Sequence, residues 1–229
     1  MNIAIIPARG GSKRIPKKNI KNFLGKPIIA YPIKTAIESN LFDKVIVSTD
    51  SQEIANIAKA HGAEIPFMRP KQLADDYTPT VPVISHAIKE LEKMSVKAKY
   101  ICCIYPCSPM LNIKDLVHGF DKIKTDRFDF VYPIVEYTHP VYRAMVKDNK
   151  GRMKFLFPEN ELTRTQDIRK SFHDAGQFYW GKHKAWLNNK KMHTDGIGLE
   201  IPSWRVVDID LNDDWKRAEV LFKNFGDKL

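Results

Sequence analysis

Two groups of residues in this sequence have the types and spacing for phosphate chemistry. The first lies in NIAIIPARGGSKRIPKKNIKNFLGK, residues 2–26, where an apolar run is followed by Arg9, Gly10, Gly11, Ser12, Lys13, Arg14, Lys17 and Lys18. Glycines let backbone N–H groups approach a ligand closely, and the cations match phosphate charge. A basic, glycine-containing loop after a first buried strand is therefore a candidate triphosphate cradle. Neither the GxxxxGK[ST] nor the GxGxxG spacing occurs in it, so it belongs to neither common class of phosphate loop. On residue chemistry alone, a basic surface turn is an equal alternative. The second group is Asp208 and Asp210, which close the run SWRVVDID. In an extended segment, side chains at i and i+2 project to one face. Two such carboxylates repel unless a cation lies between them. Beside a triphosphate that cation is Mg²⁺, a hard ion that takes carboxylate and phosphate oxygens. Solvated acids, or a helix cap supplied by Asp210 or Asn212, are the other reading.

The elements that must position these groups follow from periodicity. Apolar runs predict strands at residues 3–6, 45–48, 63–67, 100–105 and 128–135, and helical spacing predicts helices at 27–39, 51–61, 81–93 and 112–124. Ser51 is a candidate N-cap and Gly62 a helix stop. Strands alternating with helices predict an α/β fold with a mostly parallel sheet flanked by helices. In such folds ligands bind at the carboxyl ends of the strands. The rhythm breaks between 136 and 172, where residues 142–147 and 152–157 alternate as a hairpin with a turn at 148–151. Such an arm buries little by itself, and dimerisation would cover Met145, Phe155 and Phe157. Residues 173–180 then return as a strand, 203–210 form the last strand, and 213–224 the last helix. Asp213 and Asp214 suit the positive end of that helix.

The bulk composition limits the choices. The chain has 229 residues, 43% hydrophobic and 10% aromatic, and reads as one domain with residues 137–172 as an excursion. No apolar run approaches the roughly 18 residues of a membrane span, and no signal segment opens the chain, so a cytoplasmic protein without a membrane partner is expected. The three cysteines, Cys102, Cys103 and Cys107, lack CxxC spacing and read as buried reduced thiols. A net charge of +10 suits an anionic ligand. No basic helix, aromatic stacking strip or zinc module accompanies that charge, which argues against a nucleic-acid partner.

AxxGGSK, Pro16, Lys18-Asn19 and Gly25-Lys26-Pro27-Ile28 resemble the signature of the sialic-acid type cytidylyltransferases, which make CMP-activated nonulosonic acids from CTP. The resemblance continues through Ser48-Thr49-Asp50, Arg69-Pro70 with Leu73-Ala74, Pro106 to Pro109, and DIDxxxD before Trp215. HDAGQFYW at 173–180 is closest to the pseudaminic-acid branch. The resemblance implies a Rossmann-like nucleotidyltransferase fold with a β-hairpin dimer arm, a homodimer, and transfer of CMP from CTP to the sugar acid with loss of pyrophosphate. It implies nucleotide contacts from Ala8, Arg9, Gly10, Gly11, Ser12, Lys13, Lys18, Asn19 and Arg69, with Arg9, Lys13 and Asp208 as catalytic groups. Asp208 and Asp210 would hold Mg²⁺, with Mn²⁺ able to substitute. Asn19 would either fix the loop or touch the nucleotide. Tyr105, Ser108, His173, Asp174 and Gln177 would line the sugar site, and Arg164 would reach it across the dimer. Relatives in the sialic-acid branch often carry glutamine where Tyr105 stands. Sialic, legionaminic or 3-deoxy-octulosonic acid as acceptor, or a sugar-phosphate nucleotidyltransferase, are the neighbouring readings.

Overall fold

The computed structural model describes residues 1–226. Continuous apolar runs become strands buried on both faces, which is what a parallel sheet covered by helices requires. In chain order the elements are β1 (Asn2–Pro7), the short pair β2 (Asn22–Phe23) and β3 (Lys26–Pro27), α1 (Ala30–Glu38), β4 (Lys44–Ser48), α2 (Gln52–Ala60), α3 (Thr80–Lys93), β5 (Tyr100–Ile104) and α4 (Ile113–Ile123). There follow β6 (Phe130–Glu136), the hairpin β7 (Met145–Lys147) and β8 (Met153–Phe155), β9 (Phe172–Asp174), β10 (Phe178–Lys182), α5 (His183–Leu187), β11 (Gly196–Glu200) and α6 (Asn212–Phe225). The main sheet has the order β11-β6-β10-β5-β1-β4, with β9 added to the end of β6. β1 pairs in parallel with both β4 and β5, and β11 with β6. β10 runs antiparallel to both its neighbours. The chain leaves β1 for β4 on one side and later returns to β5 on the other. The carboxyl ends of β1 and β5 therefore flank a topological switch point, where open α/β sheets bind ligands.

Alternating side chains of β1 divide the core. Ala4 and Ile6 face α1, α2 and α4, while Ile3 and Ile5 face α3 and α5. A third cluster of Ile15, Phe23, Ile28, Ile209, Trp215 and Ala218 sits beyond the sheet edge and is closed by α6. The helix boundaries follow local chemistry. The Ser51 side chain accepts from the Ile54 amide, and Asn112 accepts from Lys114. Helix α1 begins three residues later than expected because Lys26-Pro27 pair with Asn22-Phe23 instead. Among the described residues no helix is long and apolar enough to cross a membrane.

Three expected strands differ. Residues 63–67 contribute only one bridge, Glu64 to Ile46, so β4 is the sheet edge. The 173–180 run is broken between β9 and β10 by Gly176, whose φ of 62° turns the backbone. Residues 203–210 form a 3₁₀ turn at Ser203–Arg205 and then an extended stretch outside the sheet. Helix α5 and strand β11 had no counterpart in the sequence reading. The hairpin arm forms, though shorter than expected, and Phe157 packs on Tyr142 with ring centroids 5.3 Å apart.

Gly181 is the most crowded of the sheet glycines, since a Cβ there would overlap the Trp186 ring and fall 2.7 Å from Phe130. Overfilling a close-packed core costs ~1–3 kcal/mol or more. Gly181→Ala is therefore expected to lower the unfolding free energy by about that amount, measured by urea titration; an unchanged midpoint would show that the layers have room to part.

Candidate active site

The phosphate loop is shaped by side chains from neighbouring strands. The Ala8 amide donates to Ser48 O at 2.9 Å, extending the β1–β4 pairing, and Ala8 is fully buried. The Gly10 amide donates to Asp50 Oδ1 at 2.9 Å, and the Ser12 amide donates to Gly10 O at 3.0 Å. The Gly10 and Ser12 amides are thus committed to holding the loop, while those of Gly11 and Lys13 make no hydrogen bond among the described residues. Asn19 is buried; its amide donates to Arg9 O at 2.9 Å and its oxygen accepts from the Cys107 thiol at 3.3 Å. Asn19 therefore fixes the loop. Burial pushes the Cys107 thiol up to about 12, so it stays a neutral donor.

This loop forms one wall of a cleft of about 630 Å³ at the switch point. Arg9, Ser12, Lys13, Lys18, Asn19, Arg69, Tyr105, Asp208 and Asp210 all reach it, so the sequence-distant basic and acidic groups meet. The acids arrive on an extended segment whose middle residue, Ile209, is 2% exposed within the third apolar cluster. That burial turns Asp208 and Asp210 together toward the cleft, although no strand pairing supports them. Arg14 lies 2.8 Å from Asp210 Oδ2, and Lys18 Nζ donates to Ile209 O at 2.6 Å and Asp210 Oδ1 at 3.3 Å. Asp208 makes no hydrogen bond or ion pair among the described residues. The protein around it, then the charge of Asp210, raise its carboxyl above the usual range against the opposing pull of Lys18.

Across the cleft, Arg9 donates to Asp75 O and lies 2.8 Å from Asp76 Oδ1, and Lys13 lies 2.5 Å from Asp76 Oδ2. The Lys13 hydrogen bond holds the Asp76 carboxyl below its ordinary value. Arg69 is no surface residue. It is 5% exposed and donates to the hydroxyl and carbonyl of Ser48, and burial lowers its guanidinium to about 10. It staples the 68–80 loop to the end of β4 while lining the cleft.

The expected sugar contacts divide. Tyr105 lines the cleft, shares a 2.8 Å hydrogen bond with Thr80 Oγ1, and has its hydroxyl pushed up to about 12 by burial. Ser108 and Gln177 do not reach it. They face a separate cavity of about 10 Å³, about the room one water needs, where Gln177 Oε1 has no partner. Asp174 is also outside the cleft, because Gly176 N, Tyr179 OH and His193 Nε2 occupy its carboxylate at 2.6–2.8 Å. His173 turns back to Asp174 O and lies beside the Tyr137 ring. Arg164 is exposed on the arm and lies outside the cleft of its own chain. Sequence reasoning placed Arg14 in the basic loop and missed Asp75, Asp76, Thr80 and Cys107 as cleft-lining residues. The one available signal was the acidic pair in DDYTPT following an arginine-anchored loop.

A family model described as cytidylyltransferase matches residues 3–192. The chain belongs to the cytidylyltransferase family. Within it, the chain is 40% identical over 226 residues to a pseudaminic acid cytidylyltransferase of Campylobacter jejuni, covering 97% of this chain and 96% of that one. It is 34% identical to a CMP-N,N'-diacetyllegionaminic acid synthase of Legionella pneumophila, covering 96% of each. A solved CMP:2-keto-3-deoxy-manno-octonic acid synthetase complexed with CTP superposes with a TM-score of 0.72, covering 97% of this chain and 98% of that one. At 16% identity that likeness establishes the fold of this cytidylyltransferase. The family match ends before Asp208 and Asp210, whereas the Campylobacter relative aligns over nearly the whole chain.

Asp76 occupies the cations that a polyphosphate would need. In Asp76→Asn, tripolyphosphate binding measured by calorimetry is expected to tighten a few-fold, the scale of one exposed ion pair. Weaker binding would mean that Asp76 builds the site instead of competing for it.

Proposed function

We propose that this cytidylyltransferase transfers CMP from CTP to the anomeric hydroxyl of pseudaminic acid, releasing pyrophosphate. The observation that carries the reading is the single cleft in which a cationic loop faces two adjacent carboxylates at the sheet's switch point. Greater identity to the pseudaminic acid enzyme than to the legionaminic acid synthase supports the choice of acceptor.

In this reading Arg9 and Lys13 exchange Asp76 for the triphosphate and stabilise the leaving pyrophosphate, helped by the free amides of Gly11 and Lys13. Lys18 holds the acid segment near the α-phosphate, and Tyr105 walls the acceptor side. The sugar hydroxyl forms the new P–O bond as the α–β bridge breaks, and its proton passes to one of the two carboxylates, directly or through water. The donor set fits Mg²⁺: Asp208 has uncommitted oxygens, and no cluster of three His, Cys, Asp or Glu among the described residues would complete a protein-only site. The remaining positions would fall to phosphate oxygens and water, the arrangement Mg²⁺ favours. Bound there, the ion would neutralise charge on the α-phosphate and lower the pKa of the attacking hydroxyl.

Pyrophosphate release with each of the four nucleoside triphosphates, offered pseudaminic acid and N-acetylneuraminic acid in parallel, tests the reading. Release with CTP and pseudaminic acid alone is expected, and Asp208→Asn should lower kcat by about 10²–10³-fold. Turnover only with N-acetylneuraminic acid would overturn the acceptor, and no turnover with either would overturn the reaction.

We further propose a homodimer through the 137–172 arm. Met145 and Met153 on one face of the hairpin are each 54% exposed, and Leu156 beyond β8 is 52% exposed, apolar surface that a second copy would cover. Arg164 would then serve the partner's cleft. Light scattering should give twice the monomer mass, falling to one for Met145→Glu/Leu156→Glu; a native monomer would overturn the arm's role.

A further inference from the structure

The segment carrying Asp208 is held by its apolar side chains, Val206 and Ile209, and not by a backbone ladder. The amides of Val207, Asp208 and Ile209 make no hydrogen bond among the described residues. Its downstream end is fixed by Lys18 on Ile209 O and by Asp214, which accepts from the Asp210 and Leu211 amides at 3.1 and 2.8 Å. The upstream end meets a buried clamp. Arg205, 8% exposed, donates to both oxygens of Asp115 at 2.5 and 3.2 Å. Asp115 sits in the first turn of α4, where the helix dipole favours a carboxylate. From the other side Gln177 Nε2 donates to Arg205 O at 3.0 Å, and Gln177 O accepts from the Tyr105 amide at 2.8 Å.

We propose that Arg205, gripped by Asp115 and Gln177, is a positioning residue that sets the place of the Asp208 carboxylate for metal and nucleotide. The inference deepens the cytidylyltransferase reading above and rests on it. A forked guanidinium bound to both carboxylate oxygens fixes direction as well as distance, which a single contact does not. Asp208 lies three residues away along an extended chain, about 10 Å. With no ladder between them, a tilt at Arg205 moves the carboxylate directly. Gln177 couples the same point to the end of β5, so the acid segment and the Tyr105 wall share one anchor.

The test separates positioning from bulk stability. Mn²⁺ binding is measured by water-proton relaxation with CTP present and no sugar acid, for the native chain, Arg205→Met, Arg205→Lys and Gln177→Leu. Gly181→Ala serves as a destabilised control remote from the cleft. Loss of a group that orients a metal ligand typically costs 10- to 100-fold in affinity or activity. Arg205→Met is expected to weaken Mn²⁺ by at least tenfold and lower kcat in step, with KM for CTP within twofold. Arg205→Lys should recover part of the loss, and Gly181→Ala should leave both readouts unchanged. Mn²⁺ affinity within twofold of native in Arg205→Met would overturn the proposal, as would an equal loss in Gly181→Ala. If Arg205→Met fails to fold, Gln177→Leu decides, because it removes one buried donor and leaves the ion pair. The Mn²⁺ readout does not need turnover, so a wrong acceptor sugar would leave it intact and appear only in pyrophosphate release.

Discussion

The burial of Ile209 is the constraint on which the site depends. It sits between two carboxylates, and its side chain enters the same apolar cluster as Ile15 from the phosphate loop. One cluster therefore anchors both charge centres. Burying an isoleucine is favourable by about 1.5–3 kcal/mol, whereas two adjacent carboxylates at a cleft wall are unfavourable by themselves. The apolar contact offsets the electrostatic cost and determines which way the acids point. Phe23 and Trp215 pack edge to face at 5.6 Å in the same cluster, tying the short β2–β3 pair to α6. What looks like an accessory to the main core is thus the part that assembles the chemistry.

The cationic side chains of the cleft are engaged by protein groups before any ligand enters. Arg9 and Lys13 face Asp76, while Arg14 and Lys18 face Asp210. Among the described acids that line the cleft, Asp208 alone has a carboxylate with no hydrogen bond or ion pair. On the proposed reading, an incoming triphosphate would exchange one anion for another at Arg9 and Lys13, and Asp208 would offer a metal ion charge that the protein leaves unneutralised. Such an arrangement keeps a strongly basic loop folded without fully solvating it, at the expense of part of the affinity for phosphate.

Much of the fold was legible because strands buried on both faces leave continuous apolar runs; Tyr100–Ile104, buried at every position, is the clearest case. The misreadings have physical causes. Residues 63–67 have strand composition but lie beyond the sheet edge with a single bridge. HDAGQFYW is apolar enough to pass as one strand, yet Gly176 turns the backbone so that its two halves join different places in the sheet. Helix α5, at five residues, is too short to show a period. The phosphate loop and the acid pair were readable because charge type and spacing are local properties. Gln177 and Asp174 lie outside the cleft because their side chains engage Arg205, Tyr179 and His193, contacts that no local pattern encodes.

The hydrogen bond from Lys18 to Ile209 O closes a separation of 191 residues. A chain emerging from the ribosome presents its basic loop early and the matching acids only after nearly two hundred further residues have been added. Throughout that interval the acids available to pair with the loop are the nearer ones, Glu53 at Lys17 and Asp76 at Arg9 and Lys13. Completion of the third apolar cluster, which joins Ile15 to Ile209, is then the event that brings the two charge centres into one cleft.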